Sequence, residues 1–465
     1  MNVYGIEVAI KNTPVLDKGF IPMAAFTSAF EASAKNGKDI AVAVERNQGQ
    51  VAVRRLKIHG TPAMDKADKV YVERTVKMLL WAYGGWKVVV CGDEALGRYI
   101  AEAYAPGGAR AFDADFMGRV YERDFTVEIR PLSETPEAYS ASAPVGRNLD
   151  GCRIGFDAGG SDRKVSAVVD GVPVYSEEVV WYPKTNSDPA YHYEGILSAF
   201  KSAASKMPRV DAIGVSSAGI YVDNRAMVAS LFLQVPRDEF DKQVKDIYIR
   251  AAKELGDVPL EVANDGDVTA LAGAMSLEEN RILGIAMGTS EAAGYVDGDG
   301  NITGWLNELA FAPVDLFENA MADEWSTDIG VGCKYFSQDA VIKLAPRAGI
   351  ELDSALTPAE KLKVVQNLME KGDSRARRIF ASIGAYLAHT LKLYCRFYDV
   401  HHMIVLGRVM SGLGGSVILE TCLSILNEEY PELAQKVRVM LPDEKTRRVG
   451  QSVAAASLPE LRKNA

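Results

Sequence analysis

The chain has 465 residues, 48% hydrophobic and 25% charged, with 40 Gly and 19 Pro; these proportions exclude a disordered or fibrous protein. At ordinary domain size this length corresponds to roughly two to four domains. The net charge of −10, from 62 acidic and 52 basic side chains, comes without a basic stripe; the cluster Arg375, Arg377 and Arg378 reads as a solvated helix face, so no nucleic-acid partner is expected.

Five scattered cysteines (Cys91, Cys152, Cys333, Cys395, Cys422) form no close pair, which argues against a disulfide framework or a zinc ribbon. The N-terminus has no basic region followed by an apolar one. The most apolar window, MLLWAYGGWKVVVCG, is short and interrupted by Lys87, so no membrane span is expected. A soluble, cytoplasmic protein follows as the default.

In chain order, IAVAVE (40–45) and VAVRRLKI (51–58) flank NQG as a hairpin would. Residues 66–83 carry apolar residues at helical spacing, WKVVVCG reads as a buried strand, and DEALGRYIAEAYA as a helix capped by Asp93. FMGRVYERDFTVEIR is read as further strand. Residues 1–130 are thus expected to form an accessory α/β domain without recognisable chemistry. The stretch 131–151, PLSETPEAYSASAPVGRNLDG, has no periodicity and reads as a linker.

Beyond it, CRIGFD, VSAVVDG and VPVYSEEVV read as strands, followed by a helix, YEGILSAFKSAASKM, and the buried strand AIGVSSAG. An amphipathic helix, DEFDKQVKDIYIRAAKELG, leads to the strand LEVAN, which gives a mixed sheet backed by helices. ILGIAMGTS, EAAGYVDGDG and NITGWL repeat the device of strands joined by a glycine-bearing turn. IFASIGAYLAHTLKLYCRFYDV reads as a core helix or a dimer face, and a homodimer is expected.

Two turns and one strand end carry the chemistry. In IGFDAGGSDRKVSAVV, Gly159 and Gly160 are expected to adopt positive φ and allow close ligand approach. Ser161 adds a hydroxyl and Lys164 a cation, a combination suited to phosphate. Asp157 is placed to hold Mg²⁺ through water. In IAMGTSEAAGYV, Gly288, Thr289 and Ser290 form a second small-residue turn, and two such turns facing each other would grip a triphosphate. Between them, VANDGDVTALAGA ends a strand at Asn264 and Asp265. Asp265 is placed to accept a proton from an attacking hydroxyl, which Asn264 would orient; the plain alternative is that Asp265 or Asp267 caps the helix.

These pieces, in this order, resemble the ROK family of sugar kinases within the actin-like ATPase superfamily. FDAGGSDRK looks like its first phosphate motif, GVSSAGIYVD is similar to GxPGxVD, and VANDGDVTALAGA to ENDANAAALGE. AMGTSEAAGYV resembles LGTGVGGGIV, NELAFAPVD resembles GEIGHxxVD, and GVGCKYFSQDAV the tail of the cysteine-rich stretch. IVLGRVMSGLGG is similar to the adenosine-side turn, which places Gly407 there. The resemblance covers residues 152–465.

It implies an α/β architecture of two actin-like ATPase (ribonuclease H-like) lobes around a cleft, 152–266 and 267–445, with a C-terminal helix, about 446–465, returning to the first. It implies ATP and Mg²⁺ as cofactors and a small sugar-like substrate. Asp265 takes the position of the base, Asn264 that of a sugar-hydroxyl ligand, and Glu308 that of the carboxylate near the anomeric end. Gly159, Gly160, Ser161, Gly288 and Thr289 would line the phosphates. The chain departs from the family where its histidine falls at Phe311, its zinc cysteines at Ser326, Asp328 and Cys333, and its second sugar glutamate at Tyr335. No structural zinc is expected. Glu291 beside the second turn would repel the γ-phosphate if it pointed inward. ATP-dependent phosphorylation of a sugar or polyol is the leading expectation, and a weak or inactive regulatory binding protein the alternative. A repressor is disfavoured because the N-terminal segment reads α/β, and an iron–sulfur activator because no suitable cysteine pair exists.

Overall fold

A computed structural model describes residues 1–140, 145–442 and 450–461 of the chain. Residues 141–144 of the stretch 131–151, and residues 446–449 and 462–465 of the expected C-terminal helix, lie outside the described residues. The chain divides into two compact units. The first comprises Met1–Ala141, Ile285–Ala293 and Trp305–Leu441, the second Ser142–Gly284, Gly294–Gly304 and Pro442–Ala465. The N-terminal segment thus shares a unit with the chain from Trp305 onward. No helix among the described residues is long and apolar enough to cross a membrane.

The second unit is built on a five-stranded sheet in the order Leu260–Asn264, Ala212–Ser217, Cys152–Ala158, Asp162–Val169, Val172–Val180. The first three run parallel and the last two form antiparallel hairpins. The Asp170–Gly171 turn of the outer hairpin has positive φ at both residues, as its right-handed twist requires. Cys152–Ala158 and Ala212–Ser217 are buried almost throughout, as strands covered on both faces are. On one face Phe156, Val165, Trp181, Phe200 and Tyr248 belong to a single apolar core with the helix Pro189–Ala204. The helix Gln451–Ala456 packs on the strands Cys152–Ala158 and Ala212–Ser217. Its seat is made by two glycines: a Cβ at Gly155 would stand 1.7 Å from the Ser452 carbonyl oxygen, and one at Gly214 1.7 Å from that of Ala455.

The expected continuous helix over 238–256 is broken. Arg237–Glu239 passes into a π-turn at Phe240–Val244 before Ile247–Lys253 resumes as α-helix. Such a turn inserts one extra residue and re-aims the apolar stripe. NITGWL contributes only an isolated bridge, Val296 to Ile302, rather than a strand.

The first unit holds one four-stranded sheet and part of a second. Its N-terminal sheet runs Val51–Ile58, Lys38–Glu45, Lys87–Cys91, Thr126–Arg130. The hairpin around NQG forms as the sequence suggests, with Gln48 itself at φ 57°. Asp93 caps Glu94–Tyr104 by accepting from the Leu96 N–H. Residues 116–121, read as strand, are helical within Ala111–Tyr121; the buried Asp113 at its first turn is tied to Lys77 and Trp81, and this tertiary anchoring overrides a short ambiguous apolar run.

The other sheet runs Glu291–Val296, Ile282–Met287, His402–Leu406, Arg438–Met440. The helix Ser374–Tyr394 is buried along most of its length, a core helix by burial. The N-terminal segment docks on it: Phe20 packs against Tyr386, and the Asn12 carbonyl accepts from His389.

Candidate active site

In the second unit, the sheet order brings three strand ends together. Asp157 stands opposite Ser216 and Ser217 opposite Asn264 in the parallel register. Ser216 Oγ donates to Asp157 Oδ1 at 2.9 Å, and Gln451 Nε2 donates to both Ser216 Oγ (2.9 Å) and the Asp265 carbonyl (3.1 Å). Asp157 has no ion-pair partner among the described residues; burial and then the nearby Asp265 charge push its carboxyl up to about 6, against the Ser216 hydrogen bond. Lys164, its cross-strand neighbour, stays 3.6 Å from Asp162 and 3.8 Å from Glu178.

The helix Asp265–Leu277 starts here, and its cap is Asn264. The Asn264 side chain accepts from the Gly266 N–H at 2.7 Å and donates to the Gly219 carbonyl at 2.7 Å. Its amide therefore spends one donor and one acceptor on the fold and keeps one of each. Asp267 is buried and accepts from the Tyr295 N–H. Gly294 touches the same helix start, where a Cβ would come within 2.2 Å of the Gly266 carbonyl oxygen. So neither aspartate is the cap, and Asp265 is left as a half-buried carboxylate in the first helical turn. Burial raises its pKa; hydrogen bonding to Gly266 and the Lys184 charge oppose the rise.

The first glycine turn differs from expectation in one respect. Neither Gly159 nor Gly160 has φ in the left-handed region. At Gly159 the need for glycine is steric, since a Cβ there would lie 2.6 Å from the Asp162 carbonyl oxygen; at Gly160 a Cβ would meet only the flexible end of Lys184. Trp181 buttresses the turn by donating to the carbonyls of Gly159 (2.7 Å) and Ser161 (3.1 Å). Gly160 and Ser161 remain exposed. Lys184, exposed beside this turn, is a cation that sequence reasoning did not single out; only folding brings it next to a segment more than twenty residues away. Gln451 and Ser216 were missed for the same reason.

In the first unit, the Gly288–Thr289–Ser290 turn closes on itself. The Gly288 N–H donates to the Ser290 carbonyl and the Gly288 carbonyl accepts from the Gln338 N–H, while Thr289 and Ser290 stay exposed. Gly407, at φ 101°, abuts the strand that feeds this turn: a Cβ there would stand 2.4 Å from the Met287 carbonyl oxygen. The turn at 288–290 and the turn at 407 are thus one backbone assembly.

Glu308 is presented by the N-terminal segment. The N–H groups of Leu306, Asn307 and Glu308 donate to the carbonyls of Tyr83, Ala82 and Trp81, the last of the helix Asp65–Tyr83. These carbonyls lack intrahelical partners, so the helix end and the loop satisfy one another. Asn307, at φ 52°, is buried and accepts from the Tyr398 hydroxyl at 3.0 Å. Glu308 itself is half-buried.

Glu291 lies buried beneath Gly332, away from the exposed turn, and accepts from the Tyr394 hydroxyl at 3.2 Å. Its other oxygen has no hydrogen-bond partner. Burial pushes its carboxyl up from 4.5 to about 8, with Glu308 adding to the rise. It is therefore a neutral acid at pH 7. The unfolded chain releases this proton near 4.5 and the folded chain near 8, so stability falls as pH rises between these values, by at most about 1.4 kcal/mol per unit. Glu291→Gln is expected to match wild type below pH 4.5 and to gain on it steadily up to pH 8, as read by urea unfolding across that range.

The departures from the family pattern are built into packing. Phe311 is buried against Trp81 (4.4 Å between centroids), Phe112, Phe116 and Trp325. Tyr335 donates to Asp315 at 2.5 Å and lies under the Lys343 ammonium at 3.7 Å. Ser326 and Cys333 both hydrogen-bond to Asp323. Asp328 anchors a buried charge cluster, pairing with Arg110 (2.8 Å), Arg74 (3.0 Å) and Lys77 (3.2 Å), while Glu73 and Asp113 answer the same three cations. Among the described residues no group of three or more His, Cys, Asp or Glu side chains is placed to hold a metal ion.

No protein-family model matches the chain, and no curated protein matches it by sequence. Among solved structures, the ROK hexokinase of Thermus thermophilus aligns at a TM-score of 0.51 and 17% identity, over 66% of this chain and 97% of its own. A ROK-family transcriptional regulator, a homologue of the E. coli MLC protein, aligns at 0.49 and 16%, over 67% and 79%. A ROK-family glucokinase of Streptomyces griseus, solved with glucose and AMPPNP, aligns at 0.44 and 17%, over 66% and 98%. Over the part matched to the Thermus hexokinase, the chain has the actin-like ATPase fold of the ROK sugar kinases, and about a third of it lies outside that match.

Proposed function

We propose that this chain is a divergent ROK-family sugar kinase that transfers the terminal phosphoryl group of ATP to a hydroxyl of a sugar or related polyol. The observation that carries the reading is Asp265: a half-buried carboxylate at a strand end, uncommitted to capping and without an ion pair among the described residues, in the same unit as the Gly159–Ser161 turn and Lys184. The fold shared with a hexokinase supports it.

The substrate hydroxyl gives its proton to Asp265 as its oxygen bonds to the γ-phosphorus, and the bond from that phosphorus to the ADP oxygen breaks. A raised pKa makes Asp265 a better acceptor than an ordinary carboxylate. Asn264 orients the hydroxyl through the amide donor and acceptor that the fold leaves open. In the second unit Gly159, Gly160, Ser161 and Lys164 are the proposed phosphate ligands, joined by Lys184; in the first unit, taken by itself, Glu308 is the proposed sugar ligand and Gly288, Thr289, Ser290 and Gly407 the proposed nucleotide ligands. Positioning and charge neutralisation carry most of such a reaction. Mg²⁺ bound with ATP supplies charge neutralisation at the phosphates. Asp157 fits that ion, since its carboxyl lacks a cationic partner and one of its oxygens is uncommitted.

Two observations favour a second reading. The Gly288 N–H is already satisfied by Ser290, and Phe311 and Tyr335 are spent on packing, which suits a regulatory member that binds nucleotide or sugar with little turnover. A coupled ADP assay across a panel of sugars separates the two: the kinase releases ADP only with sugar, and Lys184→Ala raises its KM for ATP. Thermal stabilisation by nucleotide or sugar without any turnover would establish the regulatory member instead.

A further inference from the structure

A cavity of about 130 Å³ lies within the first unit, and its charged lining residues are Glu31, Arg54, Arg55, Arg74 and Arg396, beside Thr27 and Phe397. Of its four guanidinium groups Arg55 is exposed and two are answered by carboxylates, Arg74 by Glu73 and Asp328, and Arg396 by Glu31. Arg54 is not. Its Nη2 donates to the neutral Arg396 carbonyl and, at 3.3 Å, to the Tyr83 hydroxyl, and the group sits 4.9 Å over the Phe397 ring. No carboxylate among the described residues pairs with it.

Thr27 is 5% exposed, and its hydroxyl has no hydrogen-bond partner. A helical threonine ordinarily donates to a carbonyl one turn back, and an orphaned buried hydroxyl costs about 1–3 kcal/mol. A half-buried cation that pairs with no carboxylate and a buried hydroxyl without partner thus border one small cavity, whose one lining carboxylate, Glu31, is already engaged by Arg396 and Tyr71. Buried polar groups of this kind are normally satisfied by something.

We propose that this cavity binds a compact oxyanion, a small carboxylate or inorganic phosphate, held by the Arg54 guanidinium and the Thr27 hydroxyl. The volume excludes a nucleotide. The cavity wall continues directly into the Glu308 loop. Arg54 bonds to the Tyr83 side chain, and the Tyr83 carbonyl receives the Leu306 N–H. Phe397 is followed by Tyr398, whose hydroxyl donates to Asn307. An anion in the cavity therefore biases the loop that carries Glu308; this effector role rests on the kinase reading, whereas the binding does not.

Isothermal titration of the full chain with inorganic phosphate, and separately with malonate, at constant ionic strength tests the binding. At least one anion is expected to bind with a component that Arg54→Gln weakens about tenfold or more and Thr27→Val severalfold. Thr27→Val is nearly isosteric, so it keeps the test decisive if Arg54→Gln disturbs folding. Lys184→Ala removes any phosphate held at the Gly159–Ser161 turn and must leave the Arg54-dependent component intact. A phosphate-only response identifies phosphate as the ligand and a malonate-only response a carboxylate. Binding of neither anion, or binding indifferent to both Arg54→Gln and Thr27→Val, overturns the proposal. No sugar or nucleotide is present, so failure here is separate from failure of the kinase reading.

Discussion

Asp265→Asn is expected to lower kcat for sugar phosphorylation by about 10²–10⁴-fold while nucleotide affinity stays unchanged. The amide keeps the shape and the hydrogen bond to Gly266 but cannot take a proton. The pH profile supplies a second signature. The base works only when ionised, and burial raises the pKa of Asp265, so kcat should climb with pH and level off above that raised value. The climbing limb should vanish from the residual activity of the variant. Steady-state ADP release from pH 5 to 9, with nucleotide affinity measured by titration, checks both. An undiminished kcat in the variant would remove Asp265 from the base role.

Asp328→Ala should cost about 3–5 kcal/mol, the largest stability loss expected from a single side chain here. Burial favours the neutral acid at Asp328, yet Arg74, Lys77 and Arg110 outweigh it and hold the carboxyl well below the usual carboxylate range. Its removal leaves three buried cations facing only Glu73 and Asp113. Urea unfolding followed by tryptophan fluorescence is a suitable readout, because Trp81, Trp86, Trp305 and Trp325 all lie in that unit. Asp328→Asn, which preserves shape, isolates the charge. The lowered pKa means that the stability due to charge is present above the unfolded value near 4 and is lost as pH falls, so wild type and Asp328→Asn should converge in acid. A loss under 1 kcal/mol would mean that the cluster is dispensable.

Much of the fold was legible because local signals agreed with it. NQG between alternating runs marked the hairpin, Asp93 the start of a helix, and the runs CRIGFD, AIGVSS and LEVAN three strands. The role of Gly155 and Gly214 was not legible, since the need for glycine comes from the helix Gln451–Ala456, more than two hundred residues away. The same distance hid Gln451. The double glycine at 159–160 suggested a left-handed backbone, whereas close packing against the Asp162 carbonyl is the reason at Gly159. At the candidate site, residue types singled out Asp157 and Asp265, which prove to be half-buried carboxylates without an ion pair among the described residues. Local pattern could not tell that Asn264, rather than either aspartate, caps the helix. Nor could it say what replaces the histidine and cysteines of the family; the substitutes form an aromatic cluster and a charge cluster whose other halves come from the first 121 residues.

The first unit is assembled from segments separated by residues 142–284 and again by 294–304. During synthesis the N-terminal segment emerges well before the chain that completes it. At usual translation speeds of about 5–20 residues per second, roughly ten to thirty seconds pass before Trp305 and its successors leave the ribosome. Over that interval Arg74, Lys77 and Arg110 outnumber the acids beside them, and Trp81 has no Phe311 to cover it. The nascent chain should therefore be vulnerable to aggregation and dependent on chaperones at this stage, and slowing translation after residue 141 should lower the soluble yield more than slowing it after residue 335.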